Sequence, residues 1–207
     1  MPYDSIIFDL DGTLWDSVDE IVVTWNSVIE RYPGIRPPIT RTEQKSVMGL
    51  QMDDIAQRLF PKESAARQTA LMAECVAAEN DFLYKHGATL YPLLRETLQE
   101  LKRRYSLYIV SNCQSGYIEA FLHAHQLEPL FDGFLCYGDT GRGKADNISE
   151  VVSRYGLKDP VYVGDTLGDA QAAEAAGVPF IFARYGFGHV ERYVAALDSF
   201  QELAILL

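Results

Sequence analysis

Apolar positions along this chain follow two periods. Short unbroken runs, Ile6-Ile7-Phe8, Leu107-Tyr108-Ile109-Val110 and Val161-Tyr162-Val163, end at Asp, Ser-Asn or Gly-Asp. Apolar runs of this length with such boundaries predict buried strands. We assign strands to residues 3–10, 107–112, 133–137, 161–163 and 179–183. Elsewhere the apolar residues recur every three or four positions, as on amphipathic helices. Ser17-Val18-Asp19-Glu20 has the capping-box pattern and opens a helix with Val18, Ile21, Val22, Trp25 and Ile29 along one stripe. Pro33-Gly34 and Pro37-Pro38 end it. Short helices are predicted at 40–48 and 52–60, divided by Gly49-Leu50-Gln51. A longer one is predicted at 63–86, with Leu71, Cys75, Ala78 and Phe82 on one face.

Further along, Tyr91-Pro92 introduces a helix that aligns Leu94, Leu98 and Leu101. Helices are also expected at 115–125, at 146–156 (with Ile148, Val151, Val152 and Tyr155 on one face), at 170–176 up to Gly177, and at 199–206. Strands alternating with helices imply a parallel sheet with crossover helices. The expected fold is therefore α/β, a Rossmann-like three-layer core. The helical stretch after the first strand reads as an insert. This divides the chain into a core of 1–15 and 88–207 and a helical cap of 16–87. In such sheets ligands gather beyond the carboxyl ends of the strands. Asp9, Ser111, Lys144 and Asp165 all fall at or just after those ends.

Bulk composition narrows the function. At 207 residues and 48% hydrophobic, the chain is long enough for a real core. A net charge of −11 and the lack of a basic tract argue against nucleic-acid or acidic-membrane partners. No apolar run approaches the roughly 20 residues needed to span a bilayer. Met1-Pro2-Tyr3-Asp4 does not resemble the start of a signal peptide. The three cysteines, Cys75, Cys113 and Cys136, are odd in number and far apart, which suits free buried thiols in a reducing cytoplasm. Cys113 has no histidine placed to activate it, so it reads as structural. The oligomeric state is not legible.

Candidate chemistry lies in two acidic segments, Asp9-Leu10-Asp11-Gly12-Thr13 and Gly164-Asp165-Thr166-Leu167-Gly168-Asp169. Asp-Gly is also an ordinary turn pair, and Asp169 is placed to cap the helix from Ala170. Neither reading accounts for Asp9 and Asp165, which directly end apolar strands, where an unpaired charge is expensive. Crowded carboxylates repel and take up protons. A divalent cation such as Mg²⁺ relieves this, and hard oxygen donors suit it. Ser111 and Asn112 end another strand and offer a hydroxyl and backbone N–H groups to phosphate oxygens. Lys144, before a helix, is placed to neutralise both a nucleophile and a phosphate. Trp15, Met48, Leu50 and Met52 are expected along the gap between insert and core.

Together these residues give a chain that resembles the haloacid dehalogenase superfamily, in particular its phosphoglycolate-phosphatase-like branch. Residues 9–13, Ser111, Lys144 and Asp165 with Asp169 match its four motifs in order. Tyr185-Gly186-Phe187-Gly188 is similar to a segment of the same branch. One departure is Ala145, where many relatives carry proline. The resemblance implies a Mg²⁺-dependent phosphatase acting on a small phosphorylated metabolite, with phosphoglycolate the first substrate to consider. It implies Asp9 as nucleophile and Asp11 as general acid and base. Ser111 and Lys144 complete the catalytic set, and Thr13, Ser111, Asn112 and Lys144 contact the substrate. Asp9, Asp11 through its backbone carbonyl, and Asp165 would hold the metal, with Asp169 ligating directly or from behind. Asp11 separates this chain from dehalogenase and phosphonate-cleaving relatives, which lack it. A sugar-phosphate mutase and a pyrophosphatase use the same site. A non-catalytic phosphate-binding module is the alternative outside enzymes.

Overall fold

The protein is described here by a computed structural model covering residues 3–207; Met1 and Pro2, the start of the expected core segment, lie outside the described residues. β1 (Ser5–Phe8) is followed by a two-residue strand, β2 (Trp15–Asp16), and then by four helices. These are α1 (Val18–Ile29), α2 (Arg41–Lys45), α3 (Met52–Leu59) and α4 (Ala65–His86). β3 (Thr89–Leu90) pairs antiparallel with β2, so both crossings into and out of the helical insert run through one small ribbon. The chain then alternates through α5 (Leu94–Leu101), β4 (Ser106–Ser111), α6 (Tyr117–His125) and β5 (Gly133–Cys136). Next come α7 (Tyr137–Thr140), α8 (Lys144–Tyr155), β6 (Pro160–Gly164) and α9 (Leu167–Ala175). β7 (Phe180–Ala183), β8 (Ala195–Leu197) and α10 (Leu203–Leu206) close it.

Six strands form one parallel sheet in the order β5-β4-β1-β6-β7-β8. Side chains alternate across a strand, and here both faces are covered. Ile6, Phe8, Ile109, Val163 and Ile181 face one apolar layer with Leu98, Phe121 and Leu203. Ile7, Tyr108, Val110, Tyr162 and Phe182 face the other with Ile148, Val151 and Ala173. Burial on both faces explains why the strands are continuous apolar runs. The insert has its own core, with Ile21, Trp25, Ile55, Leu59, Leu71 and Cys75 packed together. The α/β core with an inserted helical cap is thus the expected fold class.

Several local expectations change. Ser17 makes no capping bond; its hydroxyl donates to Asp11 instead, and Asp16 receives Val18 N–H. The buried stripe of α4 is Leu71, Met72, Cys75, Glu79 and Leu83, so Ala78 and Phe82 are only partly covered. Lys144 is the first residue of α8, not part of the preceding loop, and Tyr155 at the other end is exposed. α9 begins at Leu167 because Thr166 is its cap, with Asp169 completing a capping box from inside the helix. The edge strand β8 was not expected, and the last helix is broken into a 3₁₀ turn at Phe200–Glu202 and the short α10.

Candidate active site

Four strand ends on the same side of the sheet meet beneath the cap. β1 delivers Asp9, β4 Ser111, β5 and its following turn Lys144, and β6 Asp165. β1 is flanked by β4 and β6 while the chain visits them from opposite sides, which opens a crevice at this edge. Asp9 is held in place by its own N–H, which donates to Val163 O at 2.8 Å.

Carboxylate oxygens of Asp9, Asp165 and Asp169 lie within 4.8 Å of one another, and all three residues are buried. Lys144 Nζ bridges two of them, donating to Asp9 Oδ1 at 2.7 Å and to Asp169 Oδ1 at 2.5 Å. One ammonium against three carboxylates leaves negative charge uncompensated. Burial, then the neighbouring Asp169, pushes the Asp9 pKa up to about 7 despite the pull of Lys144. Burial, then Asp169 and Asp9, also raises Asp165 well above the ordinary carboxylate range. Burial alone would lower Lys144, but Asp169 and Asp9 outweigh it and its pKa rises. Burial and the shortage of positive charge thus both favour the protonated forms of Asp9 and Asp165.

Asp165 is positioned from the C-terminal side of the core. Phe187 N–H donates to Asp165 Oδ2 at 2.6 Å, and Thr13 Oγ1 stands 3.5 Å from Oδ1. Tyr185 donates its hydroxyl to Thr13 O at 2.9 Å, tying the same segment to the first acidic loop. Two glycines make this approach possible. Gly12 has φ +80°, and a Cβ there would stand 2.2 Å from Asp165 Oδ2. A Cβ on Gly186 would stand 2.3 Å from Asp165 Cβ and 2.4 Å from Gly12 O. Asp169 Oδ2 receives Thr166 Oγ1 at 2.6 Å and the N–H groups of Thr166 and Asp165 at 2.9 and 3.2 Å. Both of its oxygens are therefore already bonded to protein donors.

Asp11 lies apart from that cluster. Its Oδ1 receives Ser17 Oγ at 2.6 Å, Tyr117 Oη at 2.8 Å and Trp15 Nε1 at 2.9 Å. Burial raises its pKa, against these three donors. Trp15 is thereby locked in the core layer and does not line the gap.

Ser111 is buried, and its Oγ receives the Cys113 N–H at 3.4 Å. Asn112 Nδ2 donates to Gly49 O of the cap at 2.9 Å. Asn80 and Gln114 add a second cap-to-core pair at 3.1 Å. Beneath these contacts is a cavity of about 30 Å³ that includes Asp11, Ser111 and Asn112 from the core. From the cap come Met48, Leu50 and Met52, as expected, and also Gln44 and Glu79, which sequence reasoning missed. A larger groove of about 720 Å³ runs along α9 and β7, away from the carboxylates. Burial raises Cys113 well above the ordinary thiol range, in keeping with a structural role.

An α/β core with a helical cap after its first strand, and buried carboxylates gathered at its strand ends, is the build of a phosphoric monoester hydrolase of the haloacid dehalogenase type. A family model described as haloacid dehalogenase-like hydrolase matches residues 6–183, and the chain belongs to that family. Within it the chain falls in the phosphoglycolate-phosphatase-like branch. It is 30% identical over 198 residues to the phosphoglycolate phosphatase of Aliivibrio fischeri, covering 90% of this chain and 86% of that one. It is 27% identical over 207 residues to that of Vibrio parahaemolyticus, covering 94% and 90%. In fold it is similar to a predicted phosphoglycolate phosphatase from Haemophilus somnus, with TM-score 0.88, 23% identity, and coverage of 100% of this chain and 98% of that one. Among the described residues, no helix is long and apolar enough to cross a membrane.

Proposed function

We propose that the protein is a Mg²⁺-dependent phosphatase that hydrolyses a small phosphorylated metabolite through an aspartyl-phosphate on Asp9. The observation that carries this reading is the convergence of Asp9, Asp165 and Asp169 on one point, with Lys144 as their shared cation. The donor set fits the metal: hard carboxylate oxygens, buried, and short of positive charge. Asp9, Asp165 and the Asp11 backbone carbonyl would hold it, with Asp169 orienting Lys144 from behind. When bound, Mg²⁺ supplies charge to the phosphate oxygens and favours the ionised form of Asp9.

The remaining chemistry belongs to the side chains. A carboxylate oxygen of Asp9 attacks phosphorus, and the P–O bond to the alcohol breaks. Asp11, whose burial favours its protonated form, gives a proton to the departing oxygen. Water then attacks the aspartyl-phosphate, returns a proton to Asp11 and frees phosphate. Lys144, Ser111, Thr13 and Asn112 would position the phosphate oxygens, and the charge-bearing contacts would strengthen in the transition state. Residues 16–87 act as the cap over a core of 1–15 and 88–207, with the β2/β3 ribbon as the crossing. Three free buried thiols support a reducing, cytoplasmic setting.

Phosphate release from a panel of phosphate esters, with Mg²⁺ and with chelator, tests the reading. Asp9→Asn should abolish turnover. Asp11→Asn should retain some phosphorylation of Asp9 but release little phosphate. Full activity of either variant would overturn the assignment.

A further inference from the structure

The cap–core cavity carries information about the leaving group. Among the described residues, no Lys, Arg or His lines it. Two cap cations lie outside it: Arg41 pairs with Asp16 and Asp19 at 2.6 Å, and Lys45 lies 5.3 Å over the ring of Phe187, the residue whose N–H holds Asp165. Two acceptors in the cavity wall have no partner. Gln44 is 1% exposed and its Oε1 is unbonded; Asn112 Oδ1 is unbonded as well. The other end of each amide is fixed by an acceptor, Met48 Sδ at 3.6 Å for Gln44 and Gly49 O at 2.9 Å for Asn112. An amide nitrogen donates and these partners accept, so the free ends are the oxygens.

The third polar group is Glu79, 2% exposed, whose Oε2 receives Trp25 Nε1 at 2.6 Å. Burial pushes its pKa up to about 8, so near neutral pH it is largely a carboxylic acid. A buried acceptor without a donor is costly, and a ligand that supplies the donor removes the cost. Alcohol hydroxyls do so. A carboxylate brings only acceptors to these amide oxygens and meets no Lys, Arg or His among the residues that line the cavity.

On the phosphatase reading above, we infer that the leaving group is a neutral, hydroxyl-bearing alcohol, as in a polyol or sugar phosphate. Gln44, Asn112 and Glu79 then set the specificity. Glycolate is a poor fit, whatever the names of the relatives.

The test compares kcat/KM, in Mg²⁺, for glycerol 3-phosphate, erythritol 4-phosphate and 2-phosphoglycolate, with p-nitrophenyl phosphate as a generic ester. The expected result is at least one polyol phosphate about tenfold or more above 2-phosphoglycolate. Gln44→Arg should move the ratio toward 2-phosphoglycolate by about tenfold or more, because it adds the missing cation. Equal or better use of 2-phosphoglycolate by the unmodified protein overturns the inference while leaving the phosphatase reading intact. A ratio unmoved by Gln44→Arg removes Gln44 from the specificity set and overturns that assignment. Failure to hydrolyse any of the four esters, the generic one included, overturns the phosphatase reading and this inference with it.

Discussion

Replacing Lys144 by Met keeps the length and apolar stem of the side chain but removes the cation from the carboxylate cluster. Its Nζ lies 2.7 Å from Asp9 and 2.5 Å from Asp169, and all three side chains are at most 5% exposed. Taking one partner from a buried pair costs about 3–5 kcal/mol when the other stays charged. In a domain of this size, 1 kcal/mol moves Tm by about 2–4 °C, so a loss of about 6–20 °C is expected in chelator at about pH 8.5. The cost should fade in acid. Asp9 already titrates at about 7, above its ordinary 3.8, and loss of the ammonium raises it further. Between these values the folded protein binds more protons than the unfolded chain, so stability falls as pH rises through that window. The deficit should be small near pH 5 and full above the raised pKa. Thermal unfolding of both proteins across pH, in chelator, reads this directly, and phosphate release should fall by about 10²-fold or more. An equal deficit at both ends of the pH range, or a Tm change under about 2 °C at the alkaline end, would refute the charge argument.

Mg²⁺ at 100 times its Kd should stabilise the folded protein by about 2.7 kcal/mol. The shift should vanish with chelator, shrink below about pH 7 as protons compete at Asp9, and be mostly absent in Asp165→Asn. Glu79→Gln should flatten the pH dependence of stability. Its folded pKa of about 8 is raised above 4.5, so its contribution is full in acid and lost as pH rises, by about 3 kcal/mol between pH 6 and 9; denaturant titrations at the two pH values measure this, and parallel curves for variant and parent would reject it. Gly186→Ala should displace Asp165, since its Cβ has no room. Activity should drop by about 10²-fold, with a weakened Mg²⁺-dependent Tm shift as the independent reading.

Residues that end strands were legible because burial makes them conspicuous. Asp9, Ser111 and Asp165 each close an apolar run, and a polar group there needs a reason. Glu79 was not legible. A glutamate in a helix reads as solvated by type, and the stripe through Ala78 and Phe82 is only one position away from the observed one through Glu79 and Leu83. The nearby Trp25 offered a donor, but nothing local to Glu79 shows that α1 places it there. Ser17 failed for a related reason. Its sequence pattern fits a cap, but its Oγ is drawn into the core, 2.6 Å from Asp11 Oδ1 and 2.8 Å from Tyr117 Oη, contacts from residues outside the helix. The Phe187 N–H that fixes Asp165 is a backbone group and leaves no signature of its own. β8 is three residues long and contains two alanines, too weak a pattern to separate from a loop.

These two kinds of residue also divide the chemistry. The core half of the site has charge as its currency: Asp9, Asp11, Asp165 and Asp169 against Lys144 alone. A phosphate dianion is repelled by that arrangement until carboxylates are protonated or a cation is present; beyond burial, the carboxylate repulsion that raises Asp9 and Asp165 expresses the same deficit that a metal would fill. The cap half works without net charge. Gln44 and the Glu79–Trp25 pair of the cap, facing Asn112 of the core, offer hydrogen bonds in a space that no cation among the described residues lines. Charge falls off slowly with distance and selects for phosphate in general, whereas a neutral hydrogen bond depends on position and selects one alcohol from another. The halves meet at the β2/β3 ribbon, along α4 where Leu83 packs into the core layer and Tyr84 stacks on His123, and through contacts such as Asn112 to Gly49 and Gln114 to Asn80. On the specificity proposed above, substitutions at Gln44 in α2 and Glu79 in α4 should change which ester is used without touching the carboxylates of the core.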